Sequence, residues 1–214
     1  MKQRELSLFL LLAALFVASL VTANVVAGKI IALWGLFVPA GVLAYSITFA
    51  ITDTLAEIWG RERAQLLVNS GFAVLLLVWG LISLAIFLPA APFWQAQEAF
   101  ASVLGGTSRI ILGSIVAYGI SQTFDVWIFH RVKQAYGTRH LWLRNNVSTL
   151  ISQTIDTCIF VFVAFYGQFP LLPLIFGQLT VKYVIAILDT PVVYGLVFIV
   201  RMRLSTQAPL PRSG

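Results

Sequence analysis

The sequence predicts an all-α membrane protein, a bundle of six transmembrane helices with both chain ends in the cytoplasm. Three observations support this prediction. Of the 214 residues, 59% are hydrophobic and only 10% are charged, whereas a soluble domain is typically about a quarter charged. The apolar residues form six long runs, each close to the roughly 20 residues that cross a hydrocarbon core. The basic residues gather in alternate connections between those runs.

The six runs leave only short connections, so residues 1–214 are expected to form a single integral membrane domain. The amino-terminal basic residues and the apolar run after them also resemble a signal peptide. That run is longer than the usual h-region of about 7–15 residues, so we interpret it as an uncleaved first helix. The predicted spans are about 6–27, 40–58, 66–88, 109–130, 146–167 and 173–200.

Prolines and glycines suggest where the helices begin, bend and end. Pro39 is expected in the first turn of the second helix, where its missing N–H has no partner in any case. Pro191 lies inside the sixth span and predicts a kink there. The connection 89–108 mixes aromatic, apolar and polar residues. It is expected to form a short interfacial helix that ends at Gly105 and Gly106, or a lid over a binding site.

The positions of the basic residues predict the orientation of the chain. With these spans, eleven of the 14 Lys and Arg residues fall on one side of the membrane, which the positive-inside rule assigns to the cytoplasm. This bias also explains the formal net charge of +6. A nucleic-acid partner is not expected, because the basic residues are spread over four segments. They are Lys2, Arg4, Arg61, Arg63, Arg131, Lys133, Arg139, Arg144, Arg201, Arg203 and Arg212.

The sequence contains no motif that indicates an enzyme or a metal site. Cys158 is the single cysteine, and His130 and His140 lie in one basic loop without further ligands at metal-binding spacing. No hydrolase motif, metalloprotease motif or phosphate-binding loop is present. No cofactor is expected, and ATP-driven transport would require a separate ATPase subunit.

Five ionisable residues lie inside predicted spans, where a charge that faces lipid is costly. On insertion scales, one charge at the bilayer centre costs about 2.5–3.5 kcal/mol. These side chains are therefore expected to face the interior of the bundle, water or one another. They are Asp53, Asp125, Asp156, Lys182 and Asp189.

Polar residues recur at helical spacing around these charges, which places them on common helix faces. The segment SQTFD from Ser121 to Asp125 also reappears as SQTID from Ser152 to Asp156. The two copies lie on consecutive spans, and inverted repeats that hold a substrate near the membrane midplane are common in transporters. A purely structural network of ions is the alternative interpretation. The third span has few polar residues and is expected to act as a scaffold.

Several segments resemble the queuosine precursor transporter family, and the resemblance covers nearly the whole chain. It is carried by Asn24, Lys29, Pro39-Ala40-Gly41, Tyr45, Thr48, Ile51-Thr52-Asp53, Glu57, Gly60, Ser121-Gln122-Thr123-Phe124-Asp125, Leu141-Trp142-Leu143-Arg144-Asn145-Asn146, Ser148-Thr149, Ser152-Gln153, Ile155-Asp156 and Asp189-Thr190-Pro191. The resemblance implies a six-helix fold similar to the vitamin-binding subunits of energy-coupling-factor transporters. It also implies import of 7-deazaguanine precursors, in cyano or aminomethyl form, across the bacterial inner membrane without a dedicated ATPase.

The chemistry of a 7-deazaguanine suggests roles for the polar residues. A carboxylate can accept hydrogen bonds from its N1–H and 2-amino group, O6 needs a donor, and the flat ring needs an aromatic wall. We expect Asp125 and Asp156 to hold the edge, Lys182 to face O6, and Tyr118 and Trp127 to form walls. The full set of substrate-binding candidates is Asn24, Tyr118, Gln122, Asp125, Trp127, Gln153, Asp156 and Lys182.

Three further acidic residues, Asp53, Glu57 and Asp189, are candidates for proton coupling. A carboxylate shielded from water can take up and release a proton near neutral pH. Glu57 has a second interpretation as a surface ion pair with Arg61. The sequence leaves open the energy source, the preferred precursor and a homo-oligomeric state. Two other functions also stay open: a substrate-binding subunit for a vitamin or another nucleobase, and a non-transporting membrane scaffold.

Overall fold

The computed structural model of the chain describes residues 3–136 and 141–205. These residues form six long helices and one antiparallel β-hairpin. The elements are α1 (Gln3–Val26), β1 (Ile30–Leu33), β2 (Leu36–Pro39), α2 (Gly41–Trp59), α3 (Arg61–Phe87), α4 (Gln97–Tyr136), α5 (Leu141–Phe165) and α6 (Leu171–Ser205). Each predicted span falls within one of these helices to within a few residues.

The length and the outer surface of the helices fit a membrane. Within the described residues, five segments are long and apolar enough to cross a bilayer, and α5 contains a shorter apolar segment, Leu150–Phe165. Many large hydrophobic side chains point outward, including Leu77, Ile187 and Phe198, each at least 60% exposed. Such a surface is stable when lipid covers it. The chain is therefore a multi-pass membrane protein built from α-helices.

The β-hairpin between α1 and α2 is absent from the sequence prediction. A two-residue turn, Trp34-Gly35, joins its strands, and both residues have positive φ angles of 49° and 81°. Two positive φ angles are typical of a type I′ turn, whose twist matches that of the paired strands. The turn has no Asn-Gly or Asp-Gly pair, which is the usual sequence signal for this hairpin.

The hairpin also corrects the predicted position of Pro39. This proline lies in β2, opposite Ile30, and not in the first turn of the second helix. The pairing extends one residue further, because the Ala40 N–H donates to the Lys29 carbonyl at 2.7 Å. As a result α2 begins only at Gly41.

The predicted helix end at Gly105 and Gly106 is wrong, because α4 begins at Gln97 and continues through both glycines. A helical glycine costs about 1 kcal/mol relative to alanine. A backbone group that loses its hydrogen bond in an apolar environment costs several kcal/mol, so the helix continues. α6 likewise continues past Pro191, which does not end the helix.

The bundle is held together by close contacts between neighbouring helices, notably α1 with α2 and α4 with α5. Gly41 packs against the backbone of Ala23, so closely that a Cβ atom at this position would collide with the Ala23 carbonyl. Next to this contact, Leu20 and Ile51 belong to the buried core that α1, α2 and α3 share. Gly41 thus sets the distance between α1 and α2.

Arg109 links α4 to the end of α5. Its guanidinium donates to the backbone carbonyls of Val163 and Tyr166, in both cases at 2.7 Å. The last carbonyls of a helix have no partner within that helix, and a basic side chain can satisfy them. This contact gives a structural role to one of the few basic residues outside the predicted cytoplasmic segments.

We predict that Gly41→Ala lowers the stability of the protein by about 1–3 kcal/mol, the usual cost of an overpacked contact. The matched control is Gly80→Ala in α3, because no atom lies within 4 Å of a Cβ built at Gly80. In a helix this substitution should be neutral or stabilising by about 0.5–1 kcal/mol. Thermal unfolding in detergent measures both effects, and equal melting temperatures for the two variants would contradict the packing described here.

Candidate functional site

A cavity lined by residues of all six helices and closed in part by β2 contains the charged centre of the bundle. We call it the central cavity. Apolar residues, among them Leu20, Val42, Phe72 and Phe160, form much of its wall. The polar residues that line it are Asn24, Tyr45, Ser114, Tyr118, Asp156, Gln178 and Lys182. A mostly apolar cavity with a few converging polar groups is typical of a small-molecule site.

An ion pair between α5 and α6 lies in the wall of the central cavity. Lys182 Nζ is 2.8 Å from Asp156 Oδ2 and also donates to Thr157 Oγ1 at 3.0 Å. The Lys182 side chain is 8% exposed and that of Asp156 is 23% exposed. Each charge of the pair therefore compensates the other inside the membrane-spanning bundle.

One oxygen of Asp156 keeps capacity for a further hydrogen bond. Oδ2 accepts from Lys182, whereas among the described residues Oδ1 accepts only from Ser121 Oγ, over a long 3.5 Å. A carboxylate offers about four lone-pair positions. Asp156 can therefore accept a donor from a ligand without losing Lys182.

The Ser121–Asp156 contact also joins the two copies of the repeated sequence motif. Ser121 belongs to the copy on α4, and Asp156 belongs to the copy on α5. The two helices pack against each other along much of their length.

Aromatic side chains from four helices, α2 to α5, line the central cavity. Tyr118 stacks on Phe72, with ring centroids 3.8 Å apart and an angle of 18° between the planes. The Tyr118 hydroxyl is held by Gln65 at 2.7 Å and by Asn69 at 3.1 Å. Tyr45 of α2 lines the same cavity. Through Gln65, Asn69 and Phe72, α3 holds Tyr118 in place and contributes to the wall of the central cavity.

A second cavity, which we call the adjoining cavity, continues from the central one. The two share five lining residues: Leu20, Tyr45, Phe72, Tyr118 and Asp156. Gln122 and Gln153, one from each copy of the motif, line the adjoining cavity together with Ser121 and Ser152. Amide and carboxylate groups therefore line a continuous polar space.

A third cavity lies on the other side of Lys182, and we call it the acidic cavity. It is lined by Asp53 of α2, by Asp189 and Lys182 of α6, and by Gln153 of α5. Lys182 thus takes part in the walls of both the central and the acidic cavity. Two of the three proposed proton-coupling residues meet here.

The remaining candidates from the sequence lie elsewhere. Trp127 is 55% exposed, lies 5.2 Å below the Arg131 guanidinium and lines neither the central nor the adjoining cavity. Glu57 forms an exposed ion pair with Arg201 at 2.9 Å, and not the pair with Arg61 considered above. Asp125 belongs to α4, and its side chain lies outside the described residues.

Several residues that line the central cavity are absent from the predicted substrate-binding set, among them Tyr45, Phe72 and Gln178. Phe72 is one apolar residue among many in α3, so its sequence gives no sign of a role. Gln178 lies one helical turn before Lys182, so both face the same side of α6. That spacing is a signal from which Gln178 could have been chosen.

Asn24 of α1 is held in place beside the central cavity. It donates to the Leu20 carbonyl at 2.9 Å and accepts from Ser114 Oγ at 2.8 Å. These contacts tie α1 to α4 through one buried amide. The orientation of Asn24 is therefore fixed before any ligand binds.

Comparison with known proteins agrees with a membrane transporter. A family model described as "Putative vitamin uptake transporter" matches residues 39–196. A Bacillus subtilis (strain 168) protein named "Probable queuosine precursor transporter" is 34% identical over 180 residues, which cover 82% of this chain and 78% of that relative. The chain belongs to the queuosine precursor transporter family. Accordingly it is a transporter and not an enzyme.

Two further relatives in the queuosine precursor transporter family match a shorter stretch. The "Queuosine precursor transporter" of Escherichia coli (strain K12) is 30% identical over 126 residues, which are 59% of this chain and 54% of that protein. A Haemophilus influenzae relative (strain ATCC 51907 / DSM 11121 / KW20 / Rd), "Probable queuosine precursor transporter", is 28% identical over 126 residues, or 59% of this chain and 51% of its own. No solved structure matches the chain.

We predict that the Asp156–Lys182 pair stabilises the fold only while both partners are present. Lys182→Met should destabilise the protein by about 3–5 kcal/mol, because it leaves a carboxylate without its counter-ion inside the bundle. The double variant with Asp156→Asn should recover much of that loss. Thermal unfolding in detergent gives the interaction energy through a double-mutant cycle.

The matched control for this cycle is the exposed pair of Glu57 and Arg201, whose side chains are 59% and 61% exposed. Its coupling should not exceed about 1 kcal/mol. Additive effects of Asp156→Asn and Lys182→Met, as large as those expected of independent sites, would show that the ion pair does not form.

Proposed function

We propose that this family member imports 7-deazaguanine precursors of queuosine, in their cyano or aminomethyl forms, across the bacterial cytoplasmic membrane. The proposal is supported by membership of the family and by the names of the three relatives. The small-molecule substrate crosses a bundle whose charged and amide side chains surround internal cavities. The open oxygen of Asp156 is the observation that carries the proposal.

Asp156 suits the edge of the base that carries two donors. The N1–H and the 2-amino group of a 7-deazaguanine point in the same direction, and a carboxylate can accept from both. Hydrogen bonds to an ionised group are stronger than those between neutral groups. Lys182 Nζ lies 2.8 Å from the same carboxylate. When a base is bound, the Lys182 ammonium group can also donate to its O6 atom.

The flat faces of the base require apolar or aromatic walls. The stacked pair of Tyr118 and Phe72 supplies one, and Tyr45 lies near it in the same wall. Asn24 lies beside the central cavity, while Gln122 and Gln153 lie in the adjoining cavity. We therefore assign initial recognition to Asp156 and the aromatic wall, and passage along the adjoining cavity to the two glutamines. Asp125 stays a candidate on its sequence position alone.

The same proposal includes a topology of six membrane crossings with both ends in the cytoplasm. The bias of eleven basic residues to alternate connections supports it. At the end of α5, Arg109 donates to the carbonyls of Val163 and Tyr166, which satisfies backbone groups that have no partner within the helix.

Proton coupling through the acidic cavity would explain uptake without an ATPase. Asp53 and Asp189 face this cavity together with Lys182, which also reaches the binding carboxylate Asp156. A change in the charge of either acid therefore alters the environment of the same lysine. Glu57 is a weaker candidate, because its exposed pair with Arg201 lies apart from this cavity.

We predict that Asp156→Asn lowers uptake of the cyano and aminomethyl bases about 10- to 100-fold at limiting substrate. Hydrogen bonds to a charged group contribute about 1.5–3 kcal/mol, and the amide would also place a donor against the 2-amino group. The assay is queuosine in the tRNA of a strain that cannot make the precursor and lacks its own transporter. Thr123→Val is the control, because that hydroxyl bonds only within its own helix, to the Gly119 carbonyl at 2.9 Å.

The same strain separates the competing functions. Rescue by the chain alone, in a host without energy-coupling subunits, supports independent import. Rescue only when an ATPase partner is co-expressed would indicate a substrate-binding subunit. If well-inserted protein rescues neither host with either base, the result would favour a non-transporting membrane scaffold.

We predict that uptake depends on the proton gradient through Asp53 and Asp189. A protonophore should lower initial uptake by wild type several-fold, and Asp53→Asn with Asp189→Asn should lose that sensitivity together with accumulation against a gradient. Proteoliposomes with an imposed pH gradient provide the measurement. Accumulation that is equal with and without the gradient would contradict proton coupling and leave the substrate assignment intact.

A further inference from the structure

The oxygen of one buried amide in the central cavity has no hydrogen-bond donor within residues 3–136 and 141–205. The Gln178 residue is 8% exposed, and its Oε1 atom is enclosed without a donor among the described residues. A buried acceptor that lacks a donor is unfavourable, and such atoms are rare in native structures. Gln178 lines the central cavity, so a ligand in that cavity can supply what the protein does not.

The neighbouring polar groups are already engaged. Asn24 bonds to Leu20 and Ser114, and Lys182 bonds to Asp156 and Thr157. None of these contacts involves the amide of Gln178. The unsatisfied acceptor is therefore not explained by the hydrogen-bond network that organises the rest of the cavity.

Gln178 and Asp156 line the same cavity, and Lys182 connects the two along α6. Gln178 precedes Lys182 by four residues, which is about 6 Å along a helix axis on the same face. Lys182 itself touches Asp156. A fused bicyclic base whose N1 edge lies on Asp156 can therefore extend along α6 towards Gln178.

The hairpin covers the end of the cavity at which Gln178 lies. The adjacent residue, Gly177, packs so closely on the backbone of Phe37 in β2 that a Cβ atom there would collide with it. Pro39, also in β2, lines the central cavity. A flat base fits against such a cover, whereas a base that carries a sugar at this end would meet the hairpin.

We propose that Gln178 is a specificity-determining residue, which accepts a hydrogen bond from the pyrrole-type ring N–H of the base (N9–H in purine numbering). This N–H is the donor that remains on the ring once N1–H and the 2-amino group are bound by Asp156, and it is the position that carries the sugar in a nucleoside. Gln178 and the hairpin together select free bases over nucleosides. This inference rests on the proposed function, since it takes Asp156 as the site of the opposite edge.

The test compares two ligands that differ by one donor. The first is the cyano base, and the second is its analogue with a ring oxygen in place of N9–H, which adds no bulk. Binding of both to purified protein in detergent is measured by calorimetry. Wild type should bind the oxygen analogue at least tenfold more weakly, because a site built around a donor rejects a ligand that lacks it.

The variant Gln178→Met keeps the length of the side chain and removes the amide. We expect it to weaken binding of the cyano base about tenfold or more and to reduce the preference over the oxygen analogue to less than about threefold. The control is Thr180→Val on the same helix, whose hydroxyl bonds the Phe176 carbonyl at 2.8 Å. It should keep both the affinity and the preference of wild type.

The outcomes distinguish this inference from the proposed function. Equal affinity of wild type for the two ligands overturns the role of Gln178, even if the variant fails to fold. A full preference that persists in Gln178→Met overturns it as well. If wild type binds neither ligand, whereas a positive-control member of the family binds the base under the same conditions, the proposed function itself fails.

Discussion

The ion pair between Asp156 and Lys182 is the interaction on which the rest of the structure depends. A charge inside an apolar bundle is costly unless an opposite charge compensates it. The 2.8 Å contact between the two side chains therefore holds α5 and α6 in register. The same contact gives the central cavity its polar chemistry, because it places a carboxylate and an ammonium group side by side in the cavity wall. In the proposed function, stability and ligand recognition thus depend on the same two side chains.

The polar groups around this pair differ in whether contacts within the protein hold them in place. Asn24 and Tyr118 are fixed by contacts within the protein, the first through Leu20 and Ser114 and the second through α3. Groups held in this way lose little conformational freedom when a ligand binds. Gln178 differs, because its acceptor has no partner in the described part of the chain. The cavity is therefore ordered around most of its wall and incomplete at one end, where β2 covers it.

The sequence predicts the helical membrane fold and much of the site, and the reasons are physical. Charged residues in apolar spans must face inward, so Asp156 and Lys182 stand out from composition and spacing alone. The hairpin does not stand out in the sequence, since Trp34-Gly35 lacks the usual turn residues. Phe72 does not either, because an aromatic residue that lines a cavity and one that faces lipid look the same in an apolar helix. Gly41 was visible only as part of a family pattern, and its close contact depends on how α1 and α2 meet.

Structure determination of the protein with the cyano base bound, by electron cryomicroscopy or crystallography, tests the central claim most directly. We predict density for the base in the central cavity, with its N1 edge within hydrogen-bond distance of Asp156 and one face against Tyr118. Lys182 should stay within reach of the same carboxylate. Density for the base at another place in the bundle, with Asp156 bonded only to Lys182 and Ser121, would contradict the role given to this carboxylate.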